Sequence, residues 1–227
     1  MQIIKEGSFM KKRLIVIDGL DGSGKTTQFD IVKERLGKKY TVKAISFPDY
    51  DQPSSALVKM YLGGELSKDA SEINAYAASS FYAVDRYASY KMFWEKNYED
   101  GEIILASRYV SSNAIHQMAK LDESLWDEYL KWLEDYEHDK LGLPRPDHVI
   151  FLDMPVEISQ RLMTERYKGD ESKKDIHEAD VEYLKTCRRT ALYAAEKCGW
   201  SIIPCNNGDD PLPIERISGE IMKLIGE

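Results

Sequence analysis

A chain of 227 residues, 43% hydrophobic and 31% charged, has the apolar material for one substantial α/β domain and is short for two. Its net charge of −8 argues against a general nucleic-acid binder, which needs a basic surface, although a few local cations can still hold a small phosphorylated ligand. No run of about 18 apolar residues offers a membrane span, Met1–Arg13 lacks the apolar stretch of a signal peptide, and three cysteines without metal-type spacing read as free thiols, so a cytoplasmic protein is expected.

In chain order, Leu14–Asp18 (LIVID) is predicted as a buried strand, followed by a Gly-rich turn and a helix over Lys25–Leu36. Thr41–Phe47 is a second strand, stopped by Pro48. Glu72 to about Lys96 lacks Gly and Pro and is rich in Ala, Tyr and Phe, which suits a long, mostly buried helix. Glu102–Ala106 is a third strand, Glu123–His138 a helical stretch with paired charges, and His148–Asp153 a fourth strand. Pro155–Arg166 and Glu178–Lys197 read as helices, and Trp200–Cys205 as a fifth strand before a closing helix. Apolar strands alternating with helices predict one α/β domain over 1–227, a five-stranded parallel sheet with helices on both faces. Ligands of such sheets sit beyond the carboxyl ends of the strands.

At the first of those ends, Gly19-Leu20-Asp21-Gly22-Ser23-Gly24-Lys25-Thr26 fits G-x-x-x-x-G-K-[ST], and Thr27 continues into the helix. The glycines let backbone N–H groups turn inward around phosphate oxygens. The helix start near Lys25 points its positive dipole end at the same anion. Lys25 is expected on the β and γ phosphates and the Thr26 hydroxyl on Mg²⁺. An apolar strand before and a helix after supply the context this P-loop requires.

A P-loop does not say which reaction follows. Phe47-Pro48 follows the second strand and Ser107-Arg108-Tyr109 the third, while the long helix carries Tyr82 and, one turn on, Asp85-Arg86. Residues four apart share a helix face, so Tyr82 and Arg86 can present an aromatic plane and a guanidinium together, a pair suited to a flat base. A core tyrosine beside an Asp85–Arg86 surface pair is the alternative.

These pieces, in this order, resemble the thymidylate kinase family from Arg13 to the final helix: Asp18 to Gln28, Phe47-Pro48, Tyr82 to Arg86, Arg108-Tyr109 with Ser112 and Gln117, and Arg145 to Pro155. The resemblance implies a P-loop NTPase fold and a Mg-ATP-dependent phosphorylation of dTMP to dTDP. It makes Arg86 the contact to a thymine carbonyl, Tyr82 the stacking ring and Arg108 the holder of the acceptor phosphate. Asp21 resembles the acidic residue near the 3′-hydroxyl, and His116 stands where the family has an aromatic beside the sugar. A homodimer is implied as well, and so is a mobile lid over about 161–178. Since the loop carries no arginine, the lid is expected to provide the catalytic one, Arg166 first and Arg161 second.

Two positions depart from the family pattern. Ser107 stands where an aspartate thought to order Mg²⁺ is usual, with Asp18 as a possible substitute through a water, and Tyr50 replaces an arginine after Phe-Pro. A monophosphate acceptor is mostly ionised at neutral pH and needs no general base. A nucleoside hydroxyl would need one, and Asp49 is the candidate, which keeps a deoxynucleoside kinase open. Ser107 likewise keeps open a catalytically weak nucleotide binder.

Overall fold

The inner strands form where the sequence is continuously apolar, because they are covered on both faces. The computed structural model describes residues 13–67, 72–166 and 180–227. Strands β1 (Arg13–Gly19), β2 (Val42–Ser46), β3 (Ile103–Ser107), β4 (His148–Asp153) and β5 (Ser201–Pro204) lie parallel in the order β2-β3-β1-β4-β5. Side chains alternate across the pleat. Leu14 and Val16 therefore enter one core with Ile104 and Ala106, and Ile15 and Ile17 enter the other with Leu105, Ile150 and Leu152.

The second core is closed by α1 (Lys25–Gly37), through Val32 and Leu36, and by the last helix of the chain, Ile214–Leu224, through Ile217 and Ile221. The first is aromatic. It is closed by α3 (Ala75–Ser89), α5 (Ser111–His116) and α6 (Trp126–Glu134), with Tyr90, Trp94, Tyr109, Trp126 and Tyr129 buried between them. Helix α3 starts on Asn74, whose side chain accepts from the Ala77 N–H at 2.9 Å. It passes through a π turn at Tyr90–Trp94 into α4 (Glu95–Glu99), so the expected long helix is one rod with a widened turn. A second π turn, Asp135–Lys140, follows α6. Two further helices, α7 (Val156–Arg166) and α8 (Val181–Cys198), and a hairpin of β6 (Asn206–Asn207) and β7 (Asp210–Pro211) complete the elements used below, with Ile214–Leu224 as α9.

Helix α2 (Ala56–Leu62) was not among the expected elements. Pro53 and Gly63-Gly64 bracket only seven helical residues, too few for a periodicity to register. No helix among the described residues is long and apolar enough to cross a membrane.

Strand β1 has β3 on one side and β4 on the other, while the chain leaves it for β2 beyond β3. The direction of winding thus reverses at β1, and a crevice opens at the carboxyl ends beside it.

Candidate active site

The loop between β1 and α1 is shaped by contacts that leave no room for side chains. A Cβ on Gly22, at φ +77°, would lie 2.8 Å from the Ser159 carbonyl oxygen, so the loop packs directly on α7. A Cβ on Gly19 would lie 2.7 Å from Ser23 Oγ and 2.9 Å from the Leu152 carbonyl. Gly24, at φ +84°, begins α1 from the left-handed region, which glycine adopts without steric cost. Behind the loop, Leu20 is in the core and its carbonyl accepts from Lys25 Nζ at 2.8 Å. Ser23 Oγ is buried without a partner.

Asp21, Gly22, Gly24, Lys25, Thr26 and Thr27 form one end of a cleft of about 390 Å³. Burial, reinforced by the like charge of Arg108, pulls the Lys25 ammonium down to about 8 against the attraction of Asp21 and Asp18. A bound polyphosphate would relieve that cost. Asp21 is opposite in character. Burial works against its charge, yet Arg108 and Lys25 hold its carboxyl below the ordinary carboxylate range.

Arg108 follows β3 and lines the same cleft. Its backbone sits at φ +65°, a region that costs a residue with a Cβ about 1–3 kcal/mol. Its Nη2 donates to Asp21 Oδ1 at 2.5 Å and its Nη1 to His116 Nε2 at 3.0 Å. A guanidinium only donates, so Nε2 is the acceptor of that pair. Asp18 is fully buried; its carboxylate accepts from Ser111 Oγ at 2.7 Å, Ser112 Oγ at 2.8 Å and the Gly19 N–H at 2.8 Å. The expected ligand residue Ser112 thus lines the cleft with its hydroxyl directed to Asp18.

Phe47, Pro48, Tyr82, Arg86, His116 and Gln117 line the remainder. Phe47-Pro48 is a cis peptide bond. Arg86 is 1% exposed, and its Nε and Nη2 donate to the two oxygens of the fully buried Glu137, each at 2.6 Å. Burial would lower its affinity for the proton, and Glu137 more than offsets that. Asp85, its neighbour, does not pair with it through any hydrogen bond described here; it accepts from the Asp49 N–H at 2.9 Å and Ser54 Oγ at 2.6 Å, tying down the segment after β2. Gln117 Oε1 is buried without a partner.

Three more cleft residues bear on the site. Tyr183 of α8 donates from its hydroxyl to the His116 carbonyl at 2.8 Å, Asn113 stands on α5, and Tyr50 lines the wall where the family's arginine is absent. Asn113 and Tyr50 sit within stretches the sequence already marks, but Tyr183 lies in an unremarkable amphipathic helix.

Other expected residues stand elsewhere. Arg161 is exposed on α7, with Nη2 donating to the Asp209 carbonyl at 2.7 Å, and does not line the cleft. The Arg166 side chain and residues 167–179 lie outside the described residues, and with them most of the expected lid. Asp49, the candidate base for a hydroxyl acceptor, also does not line the cleft; its carboxylate accepts from Ser89 Oγ at 3.3 Å, and burial and Asp85 raise its pKa. Asp18, with its oxygens already engaged, is poorly placed to replace the aspartate missing at Ser107.

The donor set fits Mg²⁺. Thr26 is an exposed hydroxyl at the cleft beside Lys25, a hard oxygen next to the Gly-rich loop, and Mg²⁺ keeps several waters and takes few protein ligands.

Comparison with known proteins gives one answer throughout. The family model described as thymidylate kinase matches residues 17–211. The thymidylate kinase of Mycobacterium tuberculosis is 30% identical over 188 residues, 80% of this chain and 84% of that protein. A probable thymidylate kinase of Thermococcus gammatolerans is 31% identical over 186 residues, 80% of this chain and 82% of that one. The solved thymidylate kinase of Candida albicans superposes with a TM-score of 0.69 at 21% identity, covering 95% of this chain and 91% of its own, which establishes the shared P-loop fold. With a G-x-x-x-x-G-K-[ST] loop at the carboxyl end of β1 and a family match over most of its length, the chain belongs to the thymidylate kinase family of phosphotransferases.

Proposed function

We propose that the protein transfers the γ-phosphoryl group of Mg-ATP to the phosphate of dTMP, giving dTDP and ADP. One observation carries this reading: a single cleft is lined by Lys25 and Arg108 at one end and by Tyr82, Arg86 and Gln117 further along. A nucleotide laid along it has its phosphate beside both cations and its base beside an aromatic ring and polar groups.

The acceptor phosphate is already a nucleophile at neutral pH, so the residues have alignment and charge neutralisation to perform. The loop from Gly19 to Thr27 cradles the donor phosphates, and Lys25 follows the charge on the migrating group. Arg108 exchanges Asp21 for the acceptor phosphate, and Asp21 is then released toward the sugar hydroxyl. Thr26 would hold Mg²⁺, which when bound neutralises charge on the phosphate oxygens. Arg166, and after it Arg161, are assigned to the transferring group on the family resemblance alone. A homodimer through α3 is supported by Val84, Tyr87 and Met92, which remain 44%, 40% and 64% exposed on α3 and its π turn.

Phosphorus NMR of a mixture of Mg-ATP, dTMP and protein tests the reaction. Resonances of dTDP and ADP should grow together without free phosphate. Free phosphate growing with ADP while dTMP persists would mean an ATPase and would overturn the reading.

A further inference from the structure

Behind the cleft wall, Glu137 joins two of the residues that face the nucleotide. It is fully buried and does not itself line the cleft. Its Oε1 accepts from Arg86 Nη2 at 2.6 Å and from Asn113 Nδ2 at 2.8 Å, and its Oε2 accepts from Arg86 Nε at 2.6 Å. Asn113 Nδ2 also donates to the Ser79 carbonyl at 3.2 Å.

We propose that Glu137 is a positioning residue that sets the base preference of the cleft, holding Arg86 as a donor and Asn113 as an acceptor toward the edge of a keto pyrimidine. The inference rests on the nucleotide reading given above and adds to it the source of the discrimination. A bidentate carboxylate fixes the plane of a guanidinium. With Nε and Nη2 committed, Nη1 is the group Arg86 has to offer, and it can only donate. The amide of Asn113 has a carbonyl end and an amino end of nearly the same shape, so its neighbours decide which way it faces. Here the amino end is held by an ionised carboxylate and a backbone carbonyl, which leaves Oδ1, an acceptor, as its contribution.

Thymine and uracil present an acceptor at O4 and a donor at N3–H, which complement that pair. Cytosine presents an amino donor at C4 and an acceptor at N3, so both contacts would be inverted. A site that leaves its own buried polar groups unpaired against the wrong ligand discriminates far better than one that only loses a contact. The unpartnered Gln117 Oε1 in the same cleft adds a further acceptor and no competing signal.

Glu137 reaches this position through the π turn at Asp135–Lys140. An α-helical continuation of α6 would place it at a different angle around the axis, and π turns of this kind gather at functional sites.

The test compares kcat and KM for dTMP, dCMP and ATP in the full-length protein and in Glu137→Gln, which keeps the shape but puts an amino group against a donor. The KM for dTMP should rise about tenfold or more, with kcat and the KM for ATP within about twofold, and the dTMP-to-dCMP ratio of kcat/KM should fall about tenfold. An unchanged ratio, or losses shared equally by kcat, ATP and both acceptors, would reduce Glu137 to a structural role and overturn the proposal. If Glu137→Gln does not fold, Glu137→Asp keeps the charge but shortens the reach to Arg86 and Asn113, and a fallen dTMP-to-dCMP ratio supports the proposal while an unchanged ratio overturns it. Wild-type protein that used dCMP as readily as dTMP would overturn the role of Glu137 and leave the phosphoryl-transfer reading standing. Wild-type protein inactive on dTMP would remove both.

Discussion

Lys25 and Arg86 are both buried cations facing the same cleft, yet their removal should have different consequences. Lys25 is held by the Leu20 carbonyl and lies 3.5 Å from Asp21, and burial disfavours its charge. Lys25→Ala should therefore leave the melting temperature nearly unchanged while turnover falls by about a thousandfold or more; an active variant would refute its role. Arg86→Ala leaves the Glu137 carboxylate buried and uncompensated, which costs about 3–5 kcal/mol, so urea unfolding should shift strongly as well as the KM for dTMP. Asp49→Asn should keep dTMP turnover within about twofold, because the carboxylate is bonded to Ser89 outside the cleft; a collapse in rate would restore it as a base. The thiols give a simpler check. Desolvation raises Cys198 to about 11 and the buried Cys187 and Cys205 to about 12. Iodoacetamide should label Cys198 alone in the native protein, slowly at neutral pH and faster as pH rises toward 11, with mass spectrometry counting the adducts. At this scale the loop from Gly19 to Thr27 was legible, since its glycines, Lys25 and Thr26 fall at the spacing that a phosphate-holding turn requires. Glu137 was not: within DYEHDK it reads as one more solvated charge, and its burial depends on the phase of a widened turn.

Helix α8 shows how elements hold the site together. Its Thr190 hydroxyl donates to the Ile115 carbonyl at 2.6 Å, Tyr183 reaches the His116 carbonyl, and Arg188 grips Asp153 at the end of β4 with bonds of 2.6 and 2.9 Å. The helix is thus fastened to α5, which carries Asn113 and His116, and to the sheet. It ends on Gly199 at φ +71°, where a Cβ would meet no atom within 4 Å. Gly199→Ala should therefore cost only the left-handed backbone, about 1 kcal/mol, and lower the melting temperature by roughly 2–4 °C with KM unchanged. A larger loss, or a change in KM, would mean that the helix end also shapes the cleft. The strands were legible because runs such as LIVID can only be buried on both faces. Helix α2 and the β6–β7 hairpin were not, since elements of seven and of two residues carry no periodicity.

Across the whole molecule, the alternation of strands and helices pointed to a parallel sheet, but the order β2-β3-β1-β4-β5 follows from packing that no local pattern encodes. That order places Ser107-Arg108 beside the loop after β1 and so makes one site from residues nearly ninety positions apart. The apolar residues left exposed on α3 predict a dimer, and Val84→Glu/Met92→Glu should give a monomer by sedimentation velocity; two monomeric species, mutant and wild type, would contradict it. What sets a dTMP kinase apart from other nucleotide kinases is the acceptor it uses. ADP release should be measured from Mg-ATP with dTMP, dUMP, dCMP, AMP and thymidine offered separately. The dTMP assignment requires strong turnover with dTMP, weaker turnover with dUMP and near-background release with the others. Turnover with thymidine alone, or equal turnover across the monophosphates, would contradict it.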